Sequence, residues 1–252
     1  MRAKQVDCES CKPIRAVIGT PEVSVQAGKG RPKKVLSETA FTQLETRLLR
    51  SGDQASIAEA AAWLSRGYPV VFPTDTVYGV GVTPYEEAAI ERLYAVKERP
   101  AAKGIPILLS EAADLARVAR SIPPTAQALI DRFWPGPLTI IVPRRPDLPG
   151  VISPNDTIAV RIPAHAIARD LIRQAGGAVA TTSANLSGHE PARSGAAAFA
   201  ALRGRVAAVL DDGPSPGDRA STIVDCTGAR PVLVREGPLS AADLGLDEAA
   251  RD

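Results

Sequence analysis

From Asp53 onward the sequence alternates short apolar runs with longer segments of helical period, and this alternation constrains the fold more than any other feature. Tyr68–Phe72, Ile105–Leu109, Leu138–Val142, Thr157–Ile162, Ala178–Thr181, Ala207–Leu210, Thr222–Val224 and Val232–Val234 read as strands. Ile57–Ser65 reads as an Ala-rich helix stopped by Gly67, and Ala112–Ala119, Thr125–Phe133, Ile167–Gln174 and Ala196–Leu202 read as further helices. Thr83-Pro84-Tyr85-Glu86 has the form of a capping box, with Thr at the cap and Glu at the third helical position. The helix it opens must end near Lys97, because Pro100 pushes Arg99 into an extended conformation. Several strands follow one another with no helix between them. The expectation is therefore an α/β fold with a twisted mixed β-sheet flanked by helices, not a strictly doubly wound parallel one.

Charge divides the chain. Residues 1–50 hold 10 Lys and Arg against 5 Asp and Glu, whereas the rest is slightly acidic. That segment has little periodicity beyond a short helix expected near Phe41–Leu49, and Gly28–Lys34 (GKGRPKK) is a flexible, charged linker type. The expected organisation is a basic N-terminal extension over 1–50, one catalytic domain over 51–240 and a tail over 241–252. The start MRAKQVDCESCKP has no apolar core of a signal peptide, and no stretch approaches the about 20 apolar residues of a membrane span. The expected location is the cytoplasm. The three cysteines are too few for a disulfide framework, and the single Cys8–Cys11 pair lacks a second pair to complete a zinc site.

Four loops at strand ends are rich in hydroxyls, amides or cations, and such loops carry binding residues in α/β folds. Phe72-Pro73-Thr74-Asp75-Thr76-Val77-Tyr78-Gly79 offers two threonines and an aspartate for a small polar substrate, or a capped turn. Lys97-Glu98-Arg99-Pro100, read as extended, points Lys97 and Arg99 to one side as a cationic pair for a polyphosphate, with Lys103 close behind; a solvated helix end is the alternative. Thr181-Thr182-Ser183-Ala184-Asn185-Leu186-Ser187-Gly188 carries donors of the kind that cradle phosphate or ribose. Ser221–Asp225 and Val234–Gly237 each bring a polar group beside a strand. The motifs GxxxxGK[ST], GxGxxG and GxSxG are absent, which excludes P-loop, dinucleotide-binding and hydrolase-elbow chemistry. The two histidines, His165 and His189, do not stand at metal-ligand spacing and read as surface or capping residues.

Taken in order, PTDTVYG, KERP with KG following, PGPLT, AVRIP, TTSANLSG, STIVD and VREG resemble the YrdC family, over roughly Asp53 to Leu239. The family includes threonylcarbamoyl-AMP synthases of the TsaC type, and this chain resembles its short, single-domain members. The resemblance implies a three-layer α/β fold with a wide basic cleft. It implies a reaction in which the amine of L-threonine captures bicarbonate or CO2, the carbamate attacks the α-phosphorus of ATP, and pyrophosphate leaves. It implies Mg2+ with the ATP, and partner proteins that transfer the threonylcarbamoyl group to tRNA. By matching motifs, Thr74, Arg161, Thr181 and Ser221 should line the threonine pocket. Lys97, Arg99, Thr157, Ser183, Asn185 and Arg235 should face ATP, the backbone near Pro191 should close the nucleotide site, and Lys97 and Arg99 should be the catalytic cations. A carbamoyl-transferring module of the same fold and a non-catalytic RNA-binding protein are the competing readings. The first is separated by its preference for threonine, the second by steeply salt-dependent RNA affinity without ATP turnover.

Overall fold

A computed structural model of the chain describes residues 44–98, 104–217 and 219–246. All of these belong to one unit that begins at Gln43. The linker at 28–34, Cys8, Cys11, Arg99 and Lys103 lie outside the described residues.

Ten strands form a single mixed sheet: β1 Arg47–Arg50, β2 Val70–Phe72, β3 Gly79–Val82, β4 Ile107–Leu109, β5 Leu138–Pro143, β6 Thr157–Arg161, β7 Ala178–Ser183, β8 Ala208–Asp211, β9 Thr222–Asp225 and β10 Val232–Arg235. Their spatial order is β1-β8-β2-β3-β7-β4-β6-β5-β9-β10. The pairs β1/β8, β8/β2, β4/β6 and β5/β9 are parallel, and the others antiparallel. The helices are α1 Gln54–Ser65, α2 Glu87–Val96, α3 Pro124–Phe133, α4 Ala166–Gln174, α5 Gly195–Leu202 and α6 Ala241–Leu244.

Strand alternation sorts the core into two layers. Ile107, Leu109, Ala178, Ala180, Val160 and Ile140 point to the face packed by α2, α3 and α5. Leu108, Val179, Val70, Phe72, Ala208 and Leu210 point to the opposite face, where α1 and α4 pack on each other and on β1, β2, β4, β7 and β8. The result is the expected three-layer α/β arrangement. Across β6, β5 and β9 that second face continues as Arg161, Thr139 and Ile223, which line a pocket. The functional site thus lies on the sheet itself, beside the α1–α4 layer.

Several expectations need correction. In place of a helix near Phe41–Leu49, Arg47–Arg50 is a strand parallel to β8. It pairs in register with Ala208–Asp211, and of its four residues only Leu49, 6% exposed, is buried. The sheet therefore begins before residue 51. Residues 241–246 also join the domain, since Ser240 and Asp243 form a capping box for α6 and Leu244 is buried. No capping box forms at Thr83. Thr83 is buried at the end of β3, Pro84 and Tyr85 make a turn, and α2 starts at Glu87 with no side-chain cap. Strand β3 was hidden in sequence because its GVGV composition is poor in strand formers. Ala112–Arg117 is a 3₁₀ turn, and β7 runs on past Thr181 through Ser183, so Thr182 and Ser183 are strand residues and not loop.

Candidate functional site

The pocket has a volume of about 300 Å³ and brings together Thr74, Arg161, Thr181, Ser183, Ser221 and Arg235 of the expected site, with Thr76, Thr139, Thr182, Gly79, Leu108 and Ile223 beside them. Its first wall is the β2–β3 turn. Thr74 Oγ1 donates to the Val77 carbonyl at 2.7 Å and accepts from the Thr76 amide at 3.2 Å, which closes a tight hydroxyl-capped turn. With that hydrogen committed, Thr76 is the donor in the 3.0 Å contact between the two hydroxyls. Thr76 in turn accepts from Arg161. Behind the turn, Ser215 Oγ reaches the carbonyls of Thr74 and Thr76 at 3.1 and 2.9 Å and fixes its backbone.

Arg161 ends β6 and is 5% exposed. Its Nε donates to the Gly136 carbonyl at 2.9 Å, one terminal nitrogen donates to Thr76 Oγ1 at 2.9 Å, and the other is bonded to the Asp75 carboxylate. Three of its five N–H groups are thereby held from three directions, which fixes the guanidinium plane and leaves donors for a ligand. Burial pushes the Arg161 pKa below its usual range, and the adjacent Asp75 carboxylate opposes that shift. Opposite stands Arg235, at the end of β10, which donates twice to the Ser221 carbonyl at 3.1 and 2.7 Å; burial lowers its pKa too. Two guanidiniums around hydroxyl groups make a pocket suited to an anionic, hydroxylated small molecule.

Thr181 stands on β7 across from two glycines of β3. A Cβ on Gly79 would lie 2.8 Å from Thr181 Cγ2, and one on Gly81 2.5 Å from Val179 Cγ1, so only glycine there lets β7 side chains occupy the pocket wall. Ser183 Oγ donates to Asn185 Oδ1 at 2.6 Å, and Asn185 Nδ2 donates to the carbonyls of Leu186 and His189 at 2.8 and 2.6 Å.

The cationic pair differs from expectation. Lys97 is 3% exposed, and its ammonium donates to the Ser183 carbonyl at 2.5 Å and to Asn185 Oδ1 at 2.8 Å. It is not a solvated helix end. Lys97 has helical backbone angles and Glu98 has φ +50°, so the alternation assumed for Lys97 and Arg99 does not hold at its first two residues. Thr157 lies on the same strand and face as Arg161, about 13 Å away by strand rise. Thr157, Lys97, Asn185 and Pro191 do not line the 300 Å³ pocket. Pro191 precedes Ala192, whose carbonyl accepts from the Tyr78 amide at 3.1 Å.

Sequence reasoning singled out neither Asp75 and Thr76 as the partners of Arg161 nor Thr139 as a pocket residue. Thr139 carried a weak signal, a lone hydroxyl in the apolar run LTIIV. His165 caps α4 as expected, accepting the Ala168 amide at 3.4 Å through Nδ1, while Nε2 meets Asp212 at 3.2 Å. Burial lowers its pKa, against the pull of Asp212 and Asp75. Burial also pushes the Cys226 thiol up to about 11 and leaves it inert. Among the described residues no helix is long and apolar enough to cross a membrane, and no group of three His, Cys, Asp or Glu side chains could hold a metal ion.

Comparison with known proteins gives a consistent set of relatives. Residues 62–237 match the Sua5_yciO_yrdC family, described as "Telomere recombination". The chain is 36% identical over 192 residues to the threonylcarbamoyl-AMP synthase of Bacillus subtilis, a match covering 75% of this chain and 56% of that protein. It is 37% identical over 199 residues to the putative threonylcarbamoyl-AMP synthase of Mycobacterium tuberculosis, covering 77% of this chain and 91% of that one. The crystal structure of P. abyssi Sua5 complexed with L-threonine superposes with a TM-score of 0.76 at 36% identity, over 79% of this chain and 59% of its own. The matched region thus spans little more than half the length of the Bacillus and P. abyssi proteins.

Proposed function

This chain belongs to the Sua5/YciO/YrdC family, and from that premise we propose that it is an L-threonylcarbamoyladenylate synthase, a nucleotidyltransferase acting in tRNA modification. The observation that carries the reading is Arg161. It is a buried guanidinium held by Asp75, Thr76 and Gly136, and it faces a hydroxyl-lined pocket of about 300 Å³. An amino acid with a carboxylate and a side-chain hydroxyl matches that lining, and a relative of known structure takes L-threonine. Thr74, Thr181 and Ser221 are the proposed hydroxyl contacts beside Arg161.

In this reading the threonine amine attacks the carbon of CO2 to form a carbamate, a proton leaving the nitrogen, or attacks bicarbonate, whose hydroxyl then leaves with that proton as water. A carbamate oxygen then attacks the α-phosphorus of ATP, the bond to the β-phosphate breaks, and pyrophosphate departs. The chain supplies positioning and charge rather than a nucleophile or an imidazole base. Arg161 fixes the amino acid. Arg235, Ser183, Thr157 and the loop after β7 take the nucleotide. Lys97 sets that loop by bridging Ser183 and Asn185. Arg99 remains a proposed phosphate contact, and the backbone at Pro191 a proposed edge of the nucleotide site. Magnesium would arrive on the triphosphate and neutralise its oxygens. Proteins that transfer the threonylcarbamoyl group to tRNA would consume the product, and the cytoplasm is the proposed location.

The test is pyrophosphate release from ATP and magnesium, with threonine and bicarbonate each present or omitted. Release that needs both supports the synthase. Release indifferent to threonine points to carbamoyl transfer. No release, with salt-dependent RNA binding, points to a binding protein.

A further inference from the structure

Thr139 and Ser221 face each other in the pocket with more hydroxyl hydrogens than protein acceptors. Thr139 is 3% exposed and Ser221 7%, and their oxygens are 2.8 Å apart. Either hydroxyl can donate in that contact, which uses one of the two hydrogens. The other contact to Ser221 Oγ is one it receives, from Arg235 at 3.4 Å. Among the described residues no protein atom accepts the second hydrogen, and both residues line the cavity. A valine of the same shape would suit an apolar strand reading LTIIV, so the Thr139 hydroxyl needs a reason in the pocket and not in the core. Strand register supplies one. Ile140 pairs with Val160, which sets Thr139 beside Arg161 on the same face.

We propose that Thr139 is a positioning residue for the carboxylate of the amino-acid substrate. By donating to Ser221 Oγ it turns the Ser221 hydrogen into the cavity, toward the carboxylate oxygen that Arg161 leaves exposed. The hydroxyl pair and the guanidinium then form one convergent donor set, with Thr139 on β5, Arg161 on β6 and Ser221 at the residue before β9. The inference rests on reading this pocket as the threonine site.

The experiment compares the unaltered protein with Thr139→Val and Thr139→Ser, by pyrophosphate release at saturating ATP and bicarbonate over a threonine series, with thermal midpoints recorded. Valine keeps the branched shape and strand preference, so folding is preserved. The expected result for valine is a threonine KM raised about tenfold, the effect of one hydrogen bond to a charged group. Its kcat and the KM for ATP should change far less, and serine should restore the threonine KM. An unchanged threonine KM in Thr139→Val overturns the proposal, as does a fall in kcat matched by a fall in thermal midpoint, which would mark a structural role. Turnover that ignores threonine in all three proteins overturns the reading of the site itself, an outcome distinct from either.

Discussion

The buried Arg161 guanidinium is bonded to the carboxylate of Asp75, a residue that does not itself line the pocket. The pair holds a cation at the sheet surface without ligand, and substrate meets a group whose orientation is already set. Arg161→Ala should remove threonine-dependent turnover. It should also destabilise the fold by about 1–3 kcal/mol, because it leaves the partly buried Asp75 carboxylate without its partner. Calorimetry on Arg161→Ala and on the double variant Arg161→Ala/Asp75→Ala separates the two effects. The double variant should recover stability and not activity.

Lys97 joins the end of α2 to the turn after β7 through Ser183 and Asn185. Lys97→Met keeps the aliphatic stem and removes the ammonium. Pyrophosphate release at saturating ATP should fall about a hundredfold or more, by analogy with the loss of a charge-stabilising donor. Turnover unaltered in this variant would remove Lys97 from the mechanism.

His165 carries a pH dependence whose sign can be worked out. Its pKa is lowered in the folded state from the ordinary 6.5, chiefly by burial. The unfolded chain therefore binds the proton more readily, and stability rises with pH across the interval. The contribution is complete above pH 6.5 and is lost as pH falls through the folded value. Protonation also turns Nδ1 into a donor and removes the cap it gives the Ala168 amide. The thermal midpoint should drop on acidification below pH 6.5 in the native protein, and His165→Gln should flatten that drop.

Gly79 marks where β3 must stay thin. Gly79→Ala would place a methyl 2.8 Å from Thr181 Cγ2 and push Thr181 into the pocket. The expected outcome is a higher threonine KM with a stability loss of about 1–3 kcal/mol. A threonine titration followed by fluorescence or calorimetry checks it.

How much of this was legible in the sequence depends on the side chain in question. Strands such as Leu138–Pro143 and helices such as Pro124–Phe133 announce themselves through apolar period and turn residues, and their cores form as read. Arg161, Thr181 and Ser221 converge as the ordered motifs implied. Strand β3 escaped because glycines demanded by close strand approach look like loop. Strand β1 escaped because four residues are too few to show a period, and its partner Ala208 lies far along the chain. The burial of Lys97 was hidden for a related reason. The sequence shows a cation at a helix end, whereas only the folded chain reveals that Asn185 meets its ammonium. Thr139 was legible as an anomaly, yet its meaning depends on Ser221, 82 residues along the chain.

The placement of β1 against β8 bears on when the folded domain can exist during synthesis. Thr46 Oγ1 donates to the Val206 carbonyl at 2.7 Å across a sequence separation of 160 residues. Ser221, which directly precedes β9, and Arg235 of β10 are made later still. A nascent chain still tethered at residue 200 has α1 but nothing to close the strand before it, and half of a pocket wall. Folding of this sheet is thus governed by slow, distant pairings, and binding competence comes last. A ligand of this pocket can stabilise only a chain long enough to have completed it, and a shorter ribosome-bound fragment gains nothing from one.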